Sequence, residues 1–193
     1  MTELCLSGIS PAEVELCERL QRQSGVRVAD CCQCGKCSAA CPFAPYMDIM
    51  PRQVVRYMQL LQPQAILKAR SPWICVACHA CSCRCPKEID LPALMEGLRQ
   101  EAKRCGRIAV KEADIFTDLF IRTVRAFGRS HEMLLMGLFN MRSLRFLQDI
   151  HYAPAMYLKG KIHLLPRRAK DRTAIRRLID PYIGKREQGG DRA

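Results

Sequence analysis

Apolar residues recur at helical spacing through most of this chain, and β-branched alternation of the kind that marks strands is absent. Ser10-Pro11-Ala12-Glu13 has the form of a helix start, with a Ser cap, Pro at the first helical position and Glu three residues after the cap. Val14, Cys17 and Leu20 then share a face, so a helix is expected at about 11–23, ended by Ser24-Gly25. Pro51 opens a second helix with Val54, Val55, Met58 and Leu61 on one side; Pro63 interrupts it and Gln64 to Ala69 resume it. A third runs from Leu91-Pro92 through Leu94, Met95 and Leu98 to about Lys103. Further on, 111–127 is amphipathic and stops at Gly128, and 130–141 carries Leu134, Leu135, Leu138 and Phe139. Residues 153–169, with Pro154, Gly160 and Pro166, read as an extended connector, followed by a basic helix at about 171–183.

These elements predict an all-α protein. Its expected organisation is an N-terminal helix (1–24), a cysteine-rich helical domain (25–106), a helical, basic extension (107–183) and a disordered polar tail (184–193). A chain of 193 residues is long enough for a modest core, and 49% hydrophobic residues exclude a disordered class. Arginines interrupt the richest apolar stretches, and Glu3, Glu13, Glu15 and Glu18 precede much positive charge, so neither a membrane span nor a secretory signal is expected. The expected compartment is the cytoplasm.

Thirteen cysteines change the picture more than any helix. Ten of them crowd into residues 31–41 and 75–85. Disulfides gain little from loops of two residues, so clustering points to metal. Cys31, Cys34, Cys37 and Cys41-Pro42 spell Cys-x-x-Cys-x-x-Cys-x-x-x-Cys-Pro, and Cys75, Cys78, Cys81 and Cys85-Pro86 spell it again. Three thiolates two residues apart can wrap one face of a cubane while the amides between them donate to its sulfurs; the fourth leaves toward a second cluster, and Pro turns the chain away. Structural zinc modules mostly show two-plus-two spacing instead. Two [4Fe–4S] clusters are therefore expected, one on Cys31, Cys34, Cys37 and Cys85, the other on Cys75, Cys78, Cys81 and Cys41. Of the remaining thiols, Cys5, Cys17 and Cys105 read as small buried hydrophobes. Cys32 and Cys83 lie inside the windows but outside the repeated spacing, and His79 is expected to face solvent. Gly35 would let backbone approach a sulfide.

Charge follows the same division. Residues 1–99 hold 11 Lys+Arg and 9 Asp+Glu, and residues 100–193 hold 20 and 10. The net +12 invites a nucleic-acid partner, but the cations mix with acids on amphipathic helices and the aromatics form no stacking platform. Two oxidised thiolate-bound cubanes also lower +12 to about +8. What is left suits docking to acidic partner subunits, or nothing beyond solubility. A membrane-surface role for 111–127 and 130–141, with Phe116, Phe120, Phe127 and Phe139 among arginines, is the less favoured use of those helices.

Several strings together narrow the family. Cys31-Cys32-Gln33-Cys34-Gly35-Lys36-Cys37 through Cys41-Pro42, Met47-Asp48, Pro51 to Val55 and Trp73 to Pro86 closely resemble the C subunit of heterodisulfide reductase. So do Ile89-Asp90-Leu91-Pro92, Gly128-Arg129, and Lys159-Gly160-Lys161 with Leu165-Pro166. The resemblance implies an α-helical ferredoxin fold and a non-catalytic electron-transfer role in a disulfide oxidoreductase complex. Single electrons would pass from a flavin-containing, iron–sulfur-rich A subunit to a B subunit whose Cys-Cys-Gly motifs bind disulfide-cleaving clusters. This chain has neither a Cys-Cys-Gly nor a Gly-x-Gly-x-x-Gly flavin fingerprint. An iron–sulfur subunit of a succinate- or fumarate-type membrane dehydrogenase is the alternative, but such subunits usually add an N-terminal two-iron domain, and about 30 residues precede Cys31 here.

Overall fold

The computed structural model describes residues 10–143, 169 and 171–190. Among these there is no strand, and the chain divides into two compact units, Met1–Ala109 and Val110–Ala193. Cys5, Lys159-Gly160-Lys161 and nearly all of the expected connector lie outside the described residues.

In the first unit, α1 (Pro11–Ser24) begins with the expected capping box: Ser10 Oγ accepts from Glu13 N–H, and Glu13 returns a carboxylate oxygen to Ser10 N–H at 3.0 Å. Gly25 ends it in the left-handed region at φ 68°. Its buried face is Leu16, Cys17 and Leu20; Val14, expected on that face, is only half-buried. Cys17 is the small core hydrophobe expected of it, fully buried, and burial pushes its thiol up to about 11, with the Glu13 charge adding to the effect.

Three helices with Pro in their first two positions follow: α3 (Pro51–Gln59), α4 (Pro63–Leu67) and α5 (Ser71–Ile74), after a short α2 (Lys36–Ala39) in the first cysteine window. Leu61 does not continue the α3 face. The helix ends at Gln59, Leu61 takes φ 55°, and the chain turns so that Pro63 can open the next helix. Pro51, Pro63 and Pro72 are themselves fully buried. The second window holds α6 (Ala80–Cys83), and α7 (Leu91–Arg104) closes the unit, with Asp90 accepting from Ala93 N–H at its start. The core is Leu20, Val54, Met58, Ile66, Leu67, Leu94, Met95 and Leu98, with Trp73 beside it.

α1 packs on α7, and the contact is locked by charge. Glu101, 5% exposed, accepts from Arg19 Nη2 at 2.8 Å and from Arg104 Nη2 at 2.7 Å. Burial alone would raise its carboxyl; the Arg104 and Arg19 contacts outweigh it and hold the group below the usual carboxylate range. Cys105 departs from expectation: it is exposed, because α7 ends at Arg104 and the chain turns outward through Gly106 at φ 68°.

The second unit contains α8 (Lys111–Phe127), α9 (Glu132–Ser143) and α10 (Arg172–Gly190), with α8 packed on both others. Gly128 caps α8 at φ 78°, and a Cβ there would lie 2.8 Å from the Ala169 Cβ, so glycine is required twice over. Phe116 meets Phe139 edge-on at 5.9 Å, and Arg125 pairs with Asp180 at 2.7 Å. Leu135 is buried, but Leu138 is exposed rather than part of the apolar face. The last helix runs to Gly190, past its expected end near 183, so the first residues of the expected tail are helical. No helix among the described residues is long and apolar enough to cross a membrane.

Candidate metal centre

The two cysteine windows have the same backbone although their intervening residues differ. Two positions after the first thiol, Gln33 has φ 56° and Ala77 has φ 50°; two further on, Gly35 has φ 82° and His79 has φ 58°. Each window then enters one helical turn, α2 or α6, that carries its third thiol, Cys37 or Cys81. The two turns pack against each other. Left-handed conformation costs a non-glycine residue roughly 1–2 kcal/mol, so Gln33, Ala77 and His79 hold strain that surrounding structure must offset.

The curl aims amides at sulfur. Gln33 N–H donates to Cys31 Sγ at 3.4 Å, and the backbone N–H groups of Lys36 and Ala77 donate to Cys34 and Cys75. Those donors, Lys36 first, hold the exposed Cys34 thiol below its ordinary value. Desolvation dominates at Cys37, Cys75 and Cys81: burial raises all three, Cys81 to about 11. At Cys75 the Arg99 charge and the Ala77 N–H oppose this rise without cancelling it.

Around the first window lies an open pocket lined by Cys31, Cys34, Cys37 and Cys85 together with Cys32. Cys85 thus shares a wall with the first-window thiols although it ends the second window. On the other side, Cys75 and Cys81 both lie within the electrostatic reach of Cys41, and Cys75 within that of Cys78. The donor set is sulfur with backbone N–H, and no carboxylate or imidazole lines the first pocket. Among the described residues no three His, Cys, Asp or Glu side chains converge as ligands of one metal ion would. Thiols spread around an open space fit a polynuclear cluster, whose thiolates sit on its corners. The twelve described cysteines are free thiols.

Supports around the windows come from residues that local periodicity did not single out. Gln59 of α3 donates to the Val28 and Cys31 carbonyls at 2.9 and 3.1 Å and accepts from Gln33 Nε2, which also reaches Cys31 Sγ. Asp48 caps α5 from outside, accepting from Arg70 N–H at 2.8 Å, Ser71 N–H at 3.0 Å and Ser71 Oγ at 2.5 Å. Because α5 leads into Cys75, Asp48 sets where the second window starts. In the sequence Asp48 stands out only within the Met47-Asp48 pair of the family resemblance. Burial raises the Asp48 carboxyl, but the hydrogen bonds from Ser71, Arg70 and Ile49 outweigh this and leave it below its ordinary value. His79 faces solvent, 57% exposed, with Nδ1 3.7 Å from Asp90. Cys83 is also exposed.

Comparison with known proteins agrees with this chemistry. Residues 27–89 match the 4Fe-4S dicluster domain family, and both cysteine windows fall inside that match. The chain is 35% identical over 89 residues to the C subunit of the ferredoxin:CoB-CoM heterodisulfide reductase of Methanosarcina acetivorans, covering 46% of this chain and 35% of that protein. It is 27% identical over 95 residues to the C subunit of the H2:CoB-CoM heterodisulfide,ferredoxin reductase of Methanothermobacter thermautotrophicus, 49% of this chain and 51% of the relative. The iron-sulfur C subunit of the CoB–CoM heterodisulfide reductase of Methanopyrus kandleri matches at 27% over 89 residues, 46% of each. The chain thus spans about half the length, or less, of these relatives. It carries a 4Fe-4S dicluster domain and resembles the C subunit of heterodisulfide reductase over about half its own length.

Proposed function

We propose that this chain is an electron-transfer subunit of a heterodisulfide reductase-like complex, carrying two [4Fe–4S] clusters. Cys31, Cys34, Cys37 and Cys85 hold one, and Cys75, Cys78, Cys81 and Cys41 hold the other. When bound, the clusters supply one-electron carriers that change oxidation state without breaking bonds. The chain's own residues hold them: the Gln33, Lys36 and Ala77 amides donate to ligand sulfurs, Gln59 pins the first window, and Asp48 anchors the second. With four thiolates on each cluster no iron position is left for substrate, so disulfide chemistry belongs to another subunit. Electrons enter from a flavin-containing, iron–sulfur-rich A-type subunit and leave to a B-type subunit with Cys-Cys-Gly motifs. The complex is cytoplasmic, in keeping with twelve unpaired cysteines in the described chain.

The observation that supports this most is the pocket in which Cys85 joins Cys31, Cys34 and Cys37. Purification of the tagged chain from its native cell under anoxic conditions tests it. About eight irons and eight sulfides per chain, with a flavoprotein and a Cys-Cys-Gly protein co-purifying, are expected. Four irons or fewer in fully loaded protein, or a stable monomer that turns over its own substrate, overturns it.

A further inference from the structure

The first-window pocket is electrically one-sided. Its lining includes Lys36, Arg52 and Lys87 and no carboxylate. All three are exposed, and among the described residues none forms an ion pair with an acid. The Arg52 side chain lies over Gly35, 3.7 Å from where a Cβ would be, which holds it at the pocket rim. A fourth cation stands close behind: Arg56 Nη1 donates to Gln59 Oε1 at 3.4 Å, the oxygen that also accepts from Gln33 beside Cys31. An oxidised cubane on four thiolates carries −2, so the three lining cations exceed what its neutralisation needs, with Arg56 behind them. At the second window Arg84 is likewise exposed and in no ion pair among the described residues, but Arg99 is paired with Glu96 at 2.6 Å and His79 faces Asp90, so fewer cations stand free there.

We propose that this mouth is the docking surface for an acidic face of an electron-carrier protein, which thereby approaches the chain at its Cys31, Cys34, Cys37 and Cys85 end. The inference rests on those thiols being cluster ligands. Unpaired, exposed cations around a concave site focus the field outward and speed encounter with an anionic partner, an effect that salt screens. The partner is thus defined by chemistry: a carboxylate-rich patch around an exposed redox centre.

Two probes of opposite charge separate surface charge from cluster potential. The cluster-loaded, reduced protein is mixed in stopped flow with anionic [Co(EDTA)]⁻ or cationic [Co(NH3)6]³⁺, each Co(III) taking one electron to give Co(II). The variant K36E/R52E/K87E is expected to slow the anionic oxidant about tenfold at low salt and to speed the cationic one, both effects shrinking as salt rises. A control with the same net change in the second unit, R129E/R142E/R177E, is expected to stay within about twofold of the parent. K36Q/R52Q/K87Q serves where the triple reversal does not load iron. Footprinting gives a readout apart from electron transfer: acetylation of Lys36 and Lys87 by a neutral succinimidyl ester should slow when flavodoxin, a small acidic carrier, is present. If both oxidants change in the same direction, if the control matches the mouth variant, or if flavodoxin leaves both lysines unprotected, docking at this mouth is overturned. Iron analysis distinguishes the two levels: wild-type protein that loads no cluster overturns the ligand assignment as well, whereas loaded protein with charge-blind rates overturns docking alone.

Discussion

Replacing Asp48 with alanine removes the contacts that fix the start of the second cysteine window. Its carboxylate accepts four hydrogen bonds, from the N–H groups of Ile49, Arg70 and Ser71 and from the Ser71 hydroxyl. Ile49 N–H keeps a partner in Ser71 Oγ at 2.9 Å, so its loss costs little. The Arg70 and Ser71 amides are the uncapped start of a helix, and losing a cap costs about 0.5–2 kcal/mol. Ser71 is fully buried, and leaving its hydroxyl without an acceptor costs about 1–3 kcal/mol. The sum, discounted because Asp48 is itself exposed and solvent-screened, is about 1–3 kcal/mol. Urea unfolding of anoxic, cluster-loaded protein, followed by far-ultraviolet dichroism at pH 7, measures it. The folded carboxyl titrates below its unfolded value, so its contribution is complete above the unfolded value near 4 and is lost as pH falls through the folded one. The gap between parent and Asp48→Ala should therefore be constant from about pH 8 to 5 and close only in stronger acid. Asp48→Asn, which keeps an acceptor but not the charge, should fall between. An Asp48→Ala loss under about 0.5 kcal/mol, or a gap that widens on acidification, would refute the anchoring role.

Other consequences follow from the same geometry. Cys85→Ser should disturb the EPR signal of the cluster whose other ligands are in the first window, and Cys41→Ser that of the second; signals unchanged in both variants would end the crossed assignment. Glu101→Ala leaves Arg19 and Arg104 facing each other without their shared acid and should cost about 1–3 kcal/mol in chemical denaturation, less than a fully buried pair because both arginines are partly exposed. Ala77→Gly relieves a left-handed alanine and should stabilise the chain by up to about 1 kcal/mol in the same assay, whereas Gly35→Ala should destabilise it.

How far the sequence was legible depended on the range over which each signal acts. Capping, proline starts and 3.6-residue periodicity are local, so α1, α3, α7 and α8 were readable to within a residue or two. The one-turn helices α5, α6 and α2 were not, since four residues carry no period, and what orders them is contact from elsewhere. Asp48 reaching Ser71 across 23 positions and Gln59 reaching Val28 across 31 are side-chain decisions that no window of neighbours encodes. Cys105 failed for a related reason: apolar character says that a thiol can be buried, while the helix end at Arg104 decides that this one is not. Likewise Leu138 has the right period but lies on a helix whose described partners cover only part of its circumference.

The cysteine windows were legible for a different reason. Gln33 and Gly35 in one, Ala77 and His79 in the other, share no side-chain chemistry, and yet all four take positive φ at matching positions. Glycine alone would explain one of them. A conformation repeated over unlike residues, three of them paying a steric cost, is imposed by something common to both windows, and the thiol spacing is what they have in common. The left-handed positions bring amides onto sulfur at Cys31 and Cys75 alike. One spacing thus goes with one backbone, and the intervening side chains are free to vary in charge. They do so here: the first window places its cation, Lys36, just before the third thiol, whereas the second places Arg84 just before the fourth and His79 after the second, so two windows with one backbone present different faces to a partner.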